Sequence, residues 1–187
     1  MDDAMGSLAG HFLIASPQLA DPNFLRAVVL LIHHNEQGAF GVILNRMTDS
    51  TVKELWQEVA QTPCALDRHL NLGGPVSGPL MALHTDPAMG EIEVLPGLYF
   101  AAQREHLEQL VSRGEQVLRL FVGHSGWGQG QLERELAEGS WLTLPATIEY
   151  VFSNEGDLWK TVAQRIGESI LTETLKLKEV PTDPTLN

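Results

Sequence analysis

Arg26-Ala27-Val28-Val29-Leu30-Leu31-Ile32-His33-His34-Asn35-Glu36-Gln37-Gly38-Ala39-Phe40-Gly41-Val42-Ile43-Leu44-Asn45 is the stretch on which the fold turns. Arg26 to His34 is dominated by Val, Leu and Ile, whose branched side chains pack well on a pleated surface, and it is predicted to be a buried strand. Asn35-Glu36-Gln37-Gly38 follows, with glycine where a hairpin loop needs a positive φ. Ala39 to Asn45 then returns as a second buried strand, so the stretch predicts a β-hairpin at the centre of a sheet.

Upstream, His11-Phe12-Leu13-Ile14-Ala15 reads as a short apolar strand that Pro17 ends, and Asp21-Pro22-Asn23 is turn chemistry. Downstream, Thr51-Val52-Lys53-Glu54 is a capping box, in which each side chain satisfies a free backbone N–H of a first helical turn. Val52, Leu55, Trp56 and Val59 then fall on one helical face. Asn71-Leu72-Gly73-Gly74-Pro75-Val76 reads as a tight turn. Leu80 to His84, Glu91 to Leu95 and Gly97 to Ala102 read as strands. A helix marked by Leu107, Leu110 and Val111 is expected to end at Gly114 in a left-handed cap. Gln116 to Val122 is a further strand, Gly123 to Gly130 a glycine-rich loop, and Gln131 to Glu138 a short helix closed by Gly139. Ser140 to Leu144 adds a final strand. Trp159, Val162, Ile166 and Ile170 give a C-terminal helix its apolar stripe. Hairpins mixed with single helices, without a regular βαβ alternation, predict an α+β protein: one compact domain over residues 8–178, with a mostly antiparallel or mixed sheet and a few flanking helices. Residues 1–7 and 179–187 lack an apolar period and are expected to be flexible ends.

The chain has 187 residues, 43% of them hydrophobic, enough for a substantial core. Its longest aliphatic run, Ala27 to Ile32, falls far short of the roughly 20 residues that cross a bilayer as a helix. No basic residue precedes Arg26, so no secretory signal is expected, and the single Cys64 fits a reducing compartment. These features place the chain in the cytoplasm, away from membranes. A formal net charge of -12 argues against direct nucleic-acid binding, which needs clustered Lys and Arg. Arg26, Arg46, Lys53, Arg68 and Arg104 are instead scattered along the chain. The expected partner is a small molecule or another protein.

Gly123-His124-Ser125-Gly126-Trp127-Gly128 follows a strand and precedes a helix, as the nucleophile elbow of an α/β-hydrolase does. Trp127, however, stands where the elbow needs glycine, and no histidine follows His124. The same loop lacks the Lys-Ser or Lys-Thr of a P-loop, and Glu133 and Glu135 would repel an anion from the helix that follows. Its glycines are better read as a bend and its acids as caps. His33 and His34 are adjacent on a strand, point to opposite faces and cannot chelate one ion together. With no paired Cys/His spacing, neither metal nor cofactor is expected. Trp56, Trp141 and Trp159 sit beside apolar-periodic residues and read as core. Trp127 either plugs the domain or lines a concave surface, and Gly73-Gly74-Pro75 is either a bare turn or a place of close approach to a ligand.

In series, His11 to Ala15, Asp21-Pro22-Asn23-Phe24, Arg26 to Val29, Gly38 to Asn45, Gly73-Gly74-Pro75-Val76, Ser125-Gly126-Trp127, Gly130-Gln131-Leu132-Glu133 and Ser140-Trp141 resemble the AlgH/YqgE family of small bacterial proteins. The resemblance runs from about Gly10 to Gly167. It implies a compact α+β domain in the bacterial cytoplasm and a name that suggests transcriptional regulation, without an agreed activity or catalytic residues. His124 stands where the family more often has tyrosine, and Met47 where proline is frequent. Together these readings predict a non-enzymatic regulatory or binding protein. Its candidate ligand-binding residues are Asn45, Gly73, Gly74, Pro75, His84, His124, Ser125, Trp127, Gln131 and Glu133, converging on one concave patch. The rival is an enzyme of unfamiliar type in which Glu133 or His84 acts as general acid or base and Asn45 or Gln131 orients substrate.

Overall fold

The computed structural model describes residues 6–60, 62–114, 117–154 and 157–178. The expected hairpin is present: β2 (Val28–Asn35) and β3 (Gly38–Ile43) pair antiparallel from Val29↔Ile43 to Asn35↔Gly38, with an irregularity between Leu31 and His33. β1 (His11–Ala15) pairs with β2, and β11 (Trp141–Pro145) pairs with β1. β10 (Ser125–Gly128) lies against β3, which completes a five-stranded antiparallel sheet in the order β10-β3-β2-β1-β11. The glycine-rich loop expected at Gly123 to Gly130 is therefore largely an edge strand. Its glycines face Gly38 and Phe40 of β3, and an added Cβ at Gly38 would overlap the Trp127 carbonyl.

A second, six-stranded sheet runs β4 (Met47–Thr51), β5 (His69–Leu72), β9 (Leu118–Val122), β6 (Met81–His84), β8 (Leu98–Ala101), β7 (Ile92–Leu95). Its one parallel pair among the described residues, β5 with β9, comprises Asn71↔Phe121 and Leu72↔Val122. β4 and β5 are absent from the sequence reading, which placed a turn from Asn71 onward. Residue 116, the expected start of the β9 strand, lies outside the described residues, as do 1–5 and 179–187 at the two ends.

Side chains alternate across each strand, so both sheets bury both faces. Phe12, Ile14, Val28, Leu30 and Val42 from the first sheet meet Met81, Leu83, Leu98, Phe100 and Phe121 from the second, forming the layer between them. On the far side of the first sheet, Leu13, Val29, Leu31 and Ile43 pack with Trp127, Trp141 and Leu132, the last from α3 (Gln131–Ala137). On the far side of the second, Ala82, Leu118 and Leu120 pack under α1 (Val52–Val59) and α2 (Arg104–Ser112). Each fully buried aliphatic or Phe contributes roughly 1.5–3 kcal/mol, so these three layers outweigh any single polar contact.

The helices begin and end for local reasons. Glu54 N–H donates to Thr51 Oγ1 at 3.2 Å and Thr51 N–H to Glu54 Oε2 at 2.9 Å, closing the capping box of α1. Gly114, at φ 66°, receives the end of α2. In α1, Val52 and Trp56 are buried while Val59 is exposed. A short helix α4 (Ile148–Val151) precedes α5 (Leu158–Lys178), whose buried stripe is Leu158, Val162 and Ile166. Ile170, expected to continue that stripe, is exposed.

Candidate functional site

Asn45 serves the backbone. Its Oδ1 accepts Val28 N–H at 2.9 Å and its Nδ2 donates to Arg26 O at 2.8 Å, which fixes the entry to β2. Arg26 there has φ 52°, unusual for a residue with a Cβ, and its guanidinium lies 5.3 Å from the centre of the Trp159 ring. Gly73, Gly74, His124 and Ser125 do come together, but they are zipped backbone to backbone. Ile43 N–H donates to Gly73 O, Gly73 N–H to Val122 O, and Val76 and His124 exchange both backbone hydrogen bonds. Ser125, fully buried, donates its hydroxyl to Gly73 O at 3.1 Å. Gly74 has φ 155°, and a Cβ there would overlap the His124 carbonyl. Pro75 is exposed beside this seam.

Trp127 resolves its two alternatives as a plug. It is 5% exposed, stacks on Phe24 at 6.0 Å and meets Trp141 edge-on at 5.9 Å. One carboxylate oxygen, Glu135 Oε2, accepts both indole N–H groups, Trp127 Nε1 at 2.9 Å and Trp141 Nε1 at 2.8 Å. Gln131 Nε2 donates to the other oxygen at 2.9 Å, and Gln131 Oε1 accepts Gly128 N–H. The acids of α3, read as caps, thus fasten the helix to the sheet. Glu133 does likewise: its Oε1 lies 2.8 Å from His34 Nε2, while His34 Nδ1 accepts Leu8 N–H at 2.9 Å. That acceptor role places the His34 proton on Nε2, pointing at Glu133. The bond from His34 holds the Glu133 carboxyl below its ordinary value, burial opposing it more weakly. His84 is fully buried, its Nδ1 accepting Asp86 N–H at 3.2 Å. His84 is thus enclosed, whereas the Glu133 side chain, 38% exposed, reaches the surface beside its bond to His34.

A concave site lies elsewhere, where β5 and β9 part. Before Asn71↔Phe121 the two strands separate, and side chains cross the gap in place of backbone: Asn71 Nδ2 donates to Leu120 O at 3.1 Å and Arg68 Nη1 to Leu118 O at 3.2 Å. The resulting hollow, about 280 Å³, has Arg68, His69, Asn71, Arg119 and Asn154 as its polar lining. Met47, Val52, Leu66, Leu118, Leu120 and Phe152 supply the apolar lining. Arg119 projects from β9 between buried Leu118 and Leu120 and gives one N–H to Val151 O at 2.7 Å. Burial pulls its guanidinium down to about 10. Among the described residues no carboxylate lines the hollow, whose charged side chains there are Arg68 and Arg119. None of the sequence-derived candidates lines it. The one available signal was Arg119 itself, a charge set inside the apolar run Leu118-Arg119-Leu120-Phe121-Val122. Among the described residues no three His, Cys, Asp or Glu side chains gather as metal ligands, and no helix is long and apolar enough to cross a membrane.

The two-sheet α+β architecture with its helical covers has known counterparts. The AlgH protein of Pseudomonas aeruginosa superposes with a TM-score of 0.73 at 31% identity, covering 92% of this chain and 96% of that one. A Corynebacterium diphtheriae protein superposes with a TM-score of 0.72 at 27% identity, covering 88% and 90%. In sequence, a UPF0301 protein of Chlorobaculum tepidum is 40% identical over 167 residues, covering 85% of this chain and 87% of its own. A UPF0301 protein of Myxococcus xanthus is 39% identical over 168 residues, covering 87% and 93%. The family model described as AlgH-like matches residues 12–171, and the chain belongs to that family. The resemblance noted in the sequence and the α+β fold expected from it are both borne out.

Proposed function

We propose that the protein is a non-enzymatic, cytoplasmic binding protein that takes a small molecule in the hollow between β5 and β9 and serves regulation by responding to it. The observation that carries this reading is the hollow itself: a concavity of about 280 Å³ in which polar donors and apolar side chains converge. Ligand sites are usually concave, mostly apolar and furnished with a few placed polar groups, with volumes of roughly 300–1,000 Å³. This one, at about 280 Å³, lies just below that range. Among the described residues its lining holds no Ser, Thr, Cys, Lys or carboxylate to act as nucleophile, and its one imidazole, His69, has Nδ1 3.1 Å from Thr48 O. Regulation through a small molecule or a protein partner also suits the acidic balance of the chain better than direct contact with DNA.

The test is a thermal-shift screen of the purified protein against a metabolite library, with hits located by backbone amide shifts. A ligand at 100 times its Kd stabilises by about 2.7 kcal/mol, or roughly 5–10 °C for a chain of this size. Hits whose shifts map to Arg68–Asn71 and Leu118–Leu120 support the reading. Hits that map only to other surfaces, or none at all, overturn it.

A further inference from the structure

We propose that the hollow between β5 and β9 is built for a small amphipathic oxyanion, its charged head against the Arg119 guanidinium and its apolar body among Met47, Val52, Leu66 and Phe152. This inference rests on the hollow being the binding site and names the chemistry of its occupant.

Arg119 carries the argument. A guanidinium has five N–H donors, and the bond to Val151 O uses one of them. The ion pairs among the described residues are His34–Glu133, Arg104–Glu108, His106–Glu91 and Arg113–Asp86, so among these residues no carboxylate answers Arg119. A cation held partly out of water without a counter-ion is costly, and burial alone accounts for the lowered value of this group. An anion entering the hollow would relieve that cost. Its two oxygens fit the planar fork of the guanidinium, a geometry suited to carboxylates and phosphates.

The rest of the lining limits what the anion can be. The β9 carbonyls of Leu118 and Leu120, which would repel an oxyanion, already receive hydrogen bonds from Arg68 and Asn71. His69 Nδ1 lies 3.1 Å from Thr48 O and carries its proton there. With backbone acceptors occupied and the remaining wall apolar, a bare inorganic ion would leave that wall wet. A short hydrocarbon body would cover it and gain the free energy of burial. Carboxylates and phosphate monoesters share this head-and-body chemistry, and the probes below separate them.

The experiment measures binding of hexanoate, hexyl phosphate, hexanamide and inorganic phosphate to the full chain. The readouts are calorimetry and the Arg119 Nε–H resonance in NMR spectra. Arg119→Met, Arg119→Lys and, as a control on α2, Arg104→Met are measured beside the parent. At least one hexyl anion is expected to bind about tenfold or more tightly than hexanamide, because a hydrogen bond to a charged group is roughly twice as strong as a neutral one. The tighter of the two identifies the head group. Arg119→Met should abolish the preference for the anion, Arg119→Lys should keep part of it, and Arg104→Met should leave it intact. Arg119→Met removes a buried charge but leaves Val151 O without its donor, so its fold is verified by circular dichroism, and Arg119→Lys carries the comparison if it unfolds. Equal affinity for hexanamide and the anions, or a preference that survives in Arg119→Met, would overturn the oxyanion while leaving the hollow a binding site. Inorganic phosphate binding as tightly as hexyl phosphate would overturn the apolar body. If no probe, charged or neutral, perturbs residues lining the hollow, the binding site itself falls.

Discussion

Replacing Glu135 by alanine should be among the most damaging single changes that can be made on a partly exposed helix of this protein. One carboxylate oxygen accepts the indole N–H groups of Trp127 and Trp141, and both indoles are buried. Truncation leaves two donors without a partner in an apolar layer, at about 1–3 kcal/mol each, so the loss is about 2–6 kcal/mol. That is a large share of the roughly 5–15 kcal/mol that holds a typical domain together. Glutamine at the same position can keep one oxygen between the two indoles. It then turns an amide N–H toward Gln131 Nε2, a donor facing a donor, and should cost about 1 kcal/mol. Urea unfolding followed by far-UV circular dichroism gives the numbers without using tryptophan as the probe. The decisive measurement is a cycle with Trp127→Phe and Trp141→Phe together: once the donors are gone, Glu135→Ala should lose most of its effect. A coupling below about 0.5 kcal/mol, the limit for independent sites, would refute the claim that this carboxylate acts through the indoles.

Gly74→Ala should destabilise by about 3 kcal/mol or more, because the new Cβ meets the His124 carbonyl, backbone that is itself doubly bonded to Val76; a melting temperature within 2 °C of the parent's, by scanning calorimetry, would contradict this. Glu133, whose carboxyl is held down chiefly by the hydrogen bond from His34, contributes stability that is complete above its unfolded value of 4.5 and is lost as pH falls through the lower folded one. Melting curves of Glu133→Gln should therefore fall less steeply than the parent's below pH 4.5, and parallel curves would rule out the linkage. Thr51→Ala removes one half of a formed capping box and should cost about 1 kcal/mol in urea titration, with no change in the slope of the transition.

Much of the fold could be read ahead because its central strands are covered on both faces. Val28 to Ile32 and Val42 to Leu44 are all buried, so the chain shows an unbroken apolar run there, and the hairpin between them follows. The capping box was legible for a different reason: its two bonds join residues only three apart. Other elements left no such trace. β4 is Met-Thr-Asp-Ser-Thr at the edge of its sheet, largely exposed and polar in composition. β10 is Ser-Gly-Trp-Gly, poor in β propensity, and it is a strand because β3 presents glycines to it. The candidate hollow was the least visible. Arg68 and Arg119 are far apart along the chain, and the gap between β5 and β9 exists only after both strands are placed. Ser125, Trp127, Gln131 and Glu133, chosen as candidates because they are polar or aromatic near glycines, also hold the local packing through side-chain hydrogen bonds.

The seam around Gly123 has a mechanical consequence. β9 belongs to one sheet and β10 to the other, yet only Gly123, at φ 72°, and His124 separate them, while Gly73 O just beyond β5 is bonded from Ile43 of β3. The two layers are riveted at that corner, so neither can slide or hinge past the other without tearing backbone bonds. Amide protons of Ile43, Gly73, Val76 and His124 should accordingly exchange with deuterium only when the whole molecule opens, and any breathing of the sandwich must pivot about this point and be widest at the strand ends farthest from it.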